Sequence, residues 1–251
     1  MFLKPMLIYP VGVTAACRYA RRALEDMGLP TIDHPAPEIT HVLLDVPSFA
    51  PDGSLRGGGS LEALLQMLPE TLCVIGGNLR HPALEGRTVM DLLRDEEYLA
   101  ANAALTADCA LRVAAGELTT AFADAPAVIL GWGRIGKCLA KLLSALGTDV
   151  TIVARKEKDR AMIRALGYQA ASVEGLNRLA PGKRLLFNTV PAPILGQEES
   201  AAWRECVKID LASQRGLDGP DVIWSRGLPG VRTPVSSGAL IARTILREVQ
   251  L

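Results

Sequence analysis

AVILGWGRIGKCLAKLLSALGTDVTIVARK, from Ala127 to Lys156, is a short apolar run, three glycines, an amphipathic stretch and a second apolar run. That order is the sequence of a β-α-β unit. Gly131, Gly133 and Gly136 fit G-x-G-x-x-G where the strand passes into the helix, the context in which the motif holds a dinucleotide. Gly131 permits the tight turn, Gly133 brings no side chain against the pyrophosphate, and Gly136 lets helix and strand close together. The amides of the helix start, at Arg134 and Ile135, then face the anion. A close-packed turn without a ligand is the other reading of the same glycines.

At the end of the second apolar run, where a carboxylate would bind the ribose hydroxyls of NAD, the chain has Ala154-Arg155-Lys156. Two cations and no acid point to the 2′-phosphate of NADP(H), which Arg grips with a bidentate fork and Lys meets with a point charge. The alternative is a solvated helix start, Arg155-Lys156-Glu157-Lys158.

Further strand-like runs follow at 184–188, 207–211 and 222–224, with helical stretches between most of them and a last helix expected over 236–249. Strand and helix in alternation imply a doubly wound parallel Rossmann sheet, with ligand in the crevice at the carboxyl ends of the strands. Asn188-Thr189-Val190-Pro191 falls at one such end, where it borders the nicotinamide half of a cofactor or forms a plain capping turn. Asp210 and Ser213 fall at the next, and Asp210 is either a catalytic or orienting carboxylate or the cap of the following turn. Arg215, Arg226 and Arg232 lie in the last loops as partners for substrate carboxylates or as surface charges. The three histidines, His34, His41 and His81, all precede the glycines, so the second half has no imidazole to act as proton donor, which argues against a D-2-hydroxyacid dehydrogenase.

The region before residue 100 has its own alternation: strands at 6–10, 41–46 and 71–75, and helices at 15–27 and 60–68. This predicts a smaller N-terminal α/β layer, flavodoxin-like in pattern, whose third strand ends in Gly76-Gly77-Asn78. The loop 47–59 is flexible by composition, and the Ala- and Leu-rich stretch 84–118 predicts a long helix bridging two lobes. The expected division is 1–100 for the substrate-side domain, 101–122 for the bridging helix and 123–251 for the dinucleotide domain.

Composition narrows the partners. With 49% hydrophobic residues among 251 and a mean hydropathy of +0.22, the chain buries a large core. Its 27 basic and 27 acidic residues cancel and form no like-charge run, so neither nucleic acid nor a membrane surface is expected as partner. Cys17, Cys73, Cys109, Cys138 and Cys206 are odd in number and lack C-x-x-C spacing, which predicts no disulfide framework, no metal site and a reducing cytoplasm. Thr14-Ala15-Ala16-Cys17 imitates a lipoprotein cleavage site, but Pro5, Pro10 and Gly12 interrupt the apolar run before it.

Several blocks in order carry a family resemblance. They are Asn102 followed by Thr106-Ala107-Asp108, then Gly131-Trp132-Gly133-Arg134-Ile135-Gly136, Ala154-Arg155-Lys156, Asn188-Thr189-Val190-Pro191, Asp210-Leu211-Ala212-Ser213 and Gly227-Leu228-Pro229-Gly230. From about residue 76 to 246 the chain resembles the family formed by the A subunit of dipicolinate synthase. The resemblance implies a two-lobed fold like formate and glycerate dehydrogenases, and oxidation of dihydrodipicolinate to the aromatic dicarboxylate with NADP as hydride acceptor. It also implies a flavoprotein-like second subunit, and fold analogy adds a homo-oligomer. On this reading Asn78, Asn102, Thr106, Arg215 and Pro229 bind the small dicarboxylate substrate, and Asp210, Ser213 and Asn102 act in catalysis. The family's Pro-Lys-Thr-Ala-Gly segment is here Pro234-Val235-Ser236-Ser237-Gly238, so a cation suited to a carboxylate is missing, and Gln214-Arg215-Gly216-Leu217 replaces a Pro-Gly-Gly segment. Alternative functions are a non-catalytic NADP-sensing protein and a dehydrogenase of another small carboxylate.

Overall fold

A computed structural model describes residues 6–250. Packing divides the chain into two units: residues up to 102 together with those from 229 onward, and residues 103–228.

The first unit runs β1 (Ile8–Pro10), α1 (Ala15–Asp26), β2 (His41–Leu43), α2 (Leu61–Gln66), β3 (Cys73–Gly76) and β4 (Val89–Asp91), and then enters α3 (Glu96–Glu117). The four strands are parallel and lie in chain order. Ile8 also makes a parallel bridge to Thr31 on its other side. Counted as a one-residue strand, that bridge gives the order 2-1-3-4-5, which is flavodoxin-like. Helix α1 begins at Thr14, whose hydroxyl caps the Cys17 amide at 3.3 Å. Its buried residues Ala16, Cys17, Ala20 and Leu24 recur at helical spacing and form one stripe.

The second unit is built from β5 (Ala127–Leu130), α4 (Arg134–Ala145), β6 (Val150–Val153), α5 (Glu157–Ala165), β7 (Gln169–Ala171), β8 (Leu185–Asn188), α6 (Gln197–Ser200), β9 (Val207–Asp210) and β10 (Val222–Trp224). All six strands are parallel, in the order β10-β9-β8-β5-β6-β7. Numbered from β5 this is 3-2-1-4-5-6, the doubly wound dinucleotide-binding order, with the reversal between β5 and β8. Strands β5, β6 and β8 are buried along their whole length because both faces of the sheet are covered. Ile129, Phe187 and Ile209 pack on one face with Leu139 and Leu143 of α4, while Val128, Leu130 and Leu186 pack on the other with Trp203 and Leu217. Each such aliphatic or aromatic side chain contributes about 1.5–3 kcal/mol by leaving water.

The chain then passes through α7 (Leu228–Arg232) into α8 (Pro234–Gln250). The sequence places residues from 229 onward within 123–251, whereas packing joins them to the first unit. Two features account for it: a Cβ on Gly238 would lie 2.6 Å from the Ala20 amide nitrogen of α1, and Arg247 pairs with Asp95 and Glu97.

Other expectations are corrected. The helix expected over 84–118 starts only at Glu96, because β4 and two short 3-10 turns occupy the stretch before it. Asp91 holds that stretch by accepting from the amides of Asn78, Leu79 and Leu93, each at 3.0 Å. The bridging helix ends at Glu117, short of 122, and the division between units falls within it. Strand β7 and helix α7 are additions to the sequence reading. Within the loop 47–59, Ala50 N donates to Ser54 O and Leu55 N to Gly59 O.

Candidate dinucleotide-binding site

In the second unit the glycine motif sits at the carboxyl end of β5, beside the reversal of strand order. Gly131 has φ +102°, and a Cβ there would meet Thr189 Oγ1 at 2.5 Å and Val190 Cγ2 at 2.9 Å. Only glycine suits both the turn and the crowding. A Cβ on Gly136 would lie 2.2 Å from Gly131 O, so the helix can approach the turn only without one. Gly133 is different. It is the exposed N-cap of α4, no side chain caps the helix there, and a Cβ would meet nothing within 4 Å. The first turn of α4 therefore offers amide donors and a positive dipole end to open space, which suits a pyrophosphate. The Trp132 ring packs edge-on to Tyr168 at 6.2 Å, with Lys137 Nζ 5.7 Å away.

Strand β6 delivers Arg155 and Lys156 into solvent. Both are exposed, and neither side chain has a hydrogen-bond or ion-pair partner among the described residues. Arg160, on α5, is engaged instead: its guanidinium donates to the carbonyls of Ala154 and Arg155, both at 2.7 Å, and to Glu157.

The loop after β8 is fastened on both sides. Thr189 donates to Leu130 O through its amide at 3.0 Å and its hydroxyl at 2.8 Å. Asn188 is fully buried, accepts from the Val190 amide at 3.0 Å, and donates to Val190 O at 3.1 Å and Asp210 Oδ1 at 2.9 Å. Asn188 and Thr189 thus shape the loop with their side chains, which leaves Val190 and Pro191 on its open side.

Asp210 is likewise fully buried and accepts four hydrogen bonds, from Asn188 and from the amides of Ala212 at 3.0 Å, Gly216 at 2.7 Å and Leu217 at 3.0 Å. All four bonds come from Asn188 and the loop that follows, which is the capping arrangement of its two sequence readings. Arg215 is also spent locally, donating to Leu217 O and Gly219 O at 3.0 Å each. Its side chain stays exposed, with Nη1 outside both bonds. Ser213 is exposed on the same loop.

The remaining candidates lie elsewhere. Asn78, in the first unit, is exposed beyond β3 with φ +58°, the one positive-φ residue other than glycine among those described. Asn tolerates that region better than most side chains. Asn102 and Thr106 stand one turn apart on α3, half-buried and buried respectively, and each has an interaction partner. Pro229 is buried, and its carbonyl accepts from the amide and hydroxyl of Thr233. Val235 is exposed.

One concavity was not legible in the sequence. A cavity of about 300 Å³ opens in the first unit beside the carboxyl ends of β1 and β2, lined by Tyr9, Val11, Asp45, Arg56 and Met67 among others. Asp45 there is occupied, accepting from the amides of Val13 and Thr14 and from the Thr14 hydroxyl. Among the described residues no cluster of His, Cys, Asp or Glu could hold a metal ion, and no helix is long and apolar enough to cross a membrane.

No family model matches the chain. A curated relative, the A subunit of dipicolinate synthase from Bacillus subtilis (strain 168), is 25% identical over 196 residues, 71% of this chain. The match spans just under two thirds of that relative, 66% of its length. The crystal structure of the same subunit from Bacillus halodurans superposes with a TM-score of 0.85 at 20% identity, covering 100% of both chains. The A chain of dipicolinate synthase from Bacillus subtilis superposes with a TM-score of 0.81 at 21% identity, covering 99% of this chain and 98% of that one. The resemblance read from the ordered motifs is present in sequence and in fold.

Proposed function

We propose that this chain, similar in sequence and fold to the A subunit of dipicolinate synthase, is an NADP(H)-dependent oxidoreductase that converts dihydrodipicolinate to dipicolinate. The observation that carries the reading is the open Gly133 helix start at the strand-order reversal, with unpartnered Arg155 and Lys156 at the end of the neighbouring strand. The residues present fit a dinucleotide: a turn that tolerates no Cβ at Gly131 or Gly136, space over Gly133, and two cations where a 2′-phosphate would lie. Bound NADP+ supplies the hydride acceptor.

The chain's own residues bind and orient. The first turn of α4 holds the pyrophosphate, Arg155 and Lys156 hold the 2′-phosphate, and Val190 and Pro191 border the nicotinamide side. The reaction removes a hydride and a proton from the dihydropyridine ring, and the aromatic product makes that loss favourable. Its catalytic demand is therefore placement of one ring carbon and neutralisation of two carboxylates. Thr106 and Ser213, both of the second unit, are the proposed substrate-side contacts, with Asp210 shaping the loop that presents Ser213. A second, flavoprotein-like subunit is the proposed partner.

The test is to supply dihydrodipicolinate and NADP+ and follow the pyridine product together with NADPH. One NADPH per product molecule supports the reading. The exposed Val235, in place of the family's lysine, favours a second one: a protein that binds NADP without turnover. Tight NADPH binding with no pyridine formed, with or without the second subunit, would decide for it.

A further inference from the structure

We infer that Arg160 and Glu157 form a clasp that positions the cofactor-selecting loop, so that Arg160 determines NADP preference without itself touching the phosphate. The inference rests on the cofactor reading above and names a device in the same site that the glycine motif does not contain.

One guanidinium nitrogen of Arg160, Nη1, donates to two successive carbonyls, Ala154 O and Arg155 O, both at 2.7 Å. The next carbonyl, Lys156 O, accepts the amides of Asp159 at 3.1 Å and Arg160 at 3.2 Å as α5 begins. Three consecutive carbonyls are thus turned toward α5, and the backbone that carries Arg155 and Lys156 has a fixed path. The other edge of the guanidinium closes on Glu157 Oε2, through Nε at 2.9 Å and Nη2 at 2.6 Å. The second oxygen of Glu157 accepts from Arg164 Nη2 at 2.6 Å. Arg160 is 18% exposed while Glu157 is 65% exposed, so the arginine lies beneath the loop and the carboxylate closes it from outside.

This arrangement sorts the charges. The one carboxylate of the segment Arg155-Lys156-Glu157-Lys158 is taken by Arg160 and Arg164, so it does not pair with Arg155 or Lys156. Those two cations are left to an incoming anion on a backbone that needs no ordering, which is how preorganisation raises affinity. A dinucleotide without the 2′-phosphate gains nothing from the arrangement.

Charge alone and positioning make opposite forecasts for Glu157→Ala. Removing a negative charge beside Arg155 and Lys156 strengthens phosphate binding if net charge governs. Opening the clasp weakens it if loop position governs. The experiment is equilibrium titration of NADPH and NADH into the full chain, unaltered and as Arg160→Met, Arg160→Lys and Glu157→Ala. The clasp requires NADPH affinity to fall about fivefold or more in Arg160→Met and Glu157→Ala while NADH affinity stays within about twofold, with Arg160→Lys between. Tighter NADPH binding by Glu157→Ala, or equal weakening of both dinucleotides, overturns the inference. Equal affinities in the unaltered protein overturn the cofactor reading and the clasp with it, whereas a preference kept intact in both variants overturns the clasp alone.

Discussion

Asn188 Nδ2 donates to Asp210 Oδ1 at 2.9 Å, tying together the last residues of the neighbouring strands β8 and β9. The two residues are register partners at the edge of the crevice, and neither is exposed to solvent. Asp210 gathers a loop that returns to it at Gly216 and Leu217, and Gly216 presses so close to Asn188 that a Cβ there would lie 2.4 Å from Nδ2. The pair is a joint between loops, built where ligand-bearing loops of a doubly wound sheet emerge.

Asp210→Asn is therefore expected to act on stability. The new amide NH2 faces amide donors that the carboxylate satisfied, at a cost of about 2–3 kcal/mol. Urea unfolding of the variant checks it. An unchanged midpoint accompanied by lost turnover would instead assign Asp210 to the chemistry.

Gly133→Ala and Gly136→Ala separate ligand space from packing. At Gly133 the added methyl meets no atom within 4 Å beyond its chain neighbours and its own helix backbone, so stability should fall by no more than about 1 kcal/mol, the cost of a poorer N-cap, while dinucleotide affinity falls about tenfold or more. At Gly136 the methyl would sit 2.2 Å from Gly131 O, and the variant should lose about 2 kcal/mol or more of stability. Thermal unfolding and NADPH titration on the two proteins give both numbers.

The same contrast explains what the sequence could disclose. The β5-α4-β6 unit was legible because its apolar runs and glycines are local signals. Strand β4 was not, since Val89-Met90-Asp91 is three residues long and owes its state to Gly76 and its neighbours in β3, with Asp91 holding the turn at Asn78. Residues 229–250 read as the end of the dinucleotide domain because what places them with the first unit, the contact of Gly238 with α1, joins residues over 200 apart in sequence. The carboxylate of Asp210 could face ligand or loop, and amides two, six and seven residues later decided it. Arg160 carried no signal in the sequence, because the carbonyls that it holds leave no mark on residue types.

Gly238→Ala tests the joining of the C-terminal helix to the first unit. Its Cβ would fall 2.6 Å from both the Ala20 amide nitrogen and the Tyr19 Cβ, and 2.7 Å from Ala16 O, so α8 must move off α1. A loss of about 2 kcal/mol or more is expected by chemical denaturation. A neutral outcome would contradict the close crossing of the two helices.

The cysteines should be quiet toward thiol reagents. Burial, and then the charge of Asp45, push the Cys17 thiol up to about 12, and burial pushes Cys73 and Cys206 up to about 11. A raised pKa keeps the thiol protonated until the pH nears that value, so at pH 8 about one part in a thousand or less is thiolate. Titration with a disulfide reagent in native buffer should leave these three unmodified, and in denaturant all five cysteines should react. Rapid native modification of Cys17 would contradict its placement.

Cofactor choice rests on the loop after β6, and the most direct measurement is the affinity of the unaltered chain and of Arg155→Asp for NADPH and NADH. NADPH should bind the unaltered chain at least about tenfold more tightly than NADH, and Arg155→Asp should erase that difference by weakening NADPH alone. Equal affinities for the two dinucleotides before the substitution, or a preference that survives it, would contradict the assignment of Arg155 and Lys156 to a 2′-phosphate.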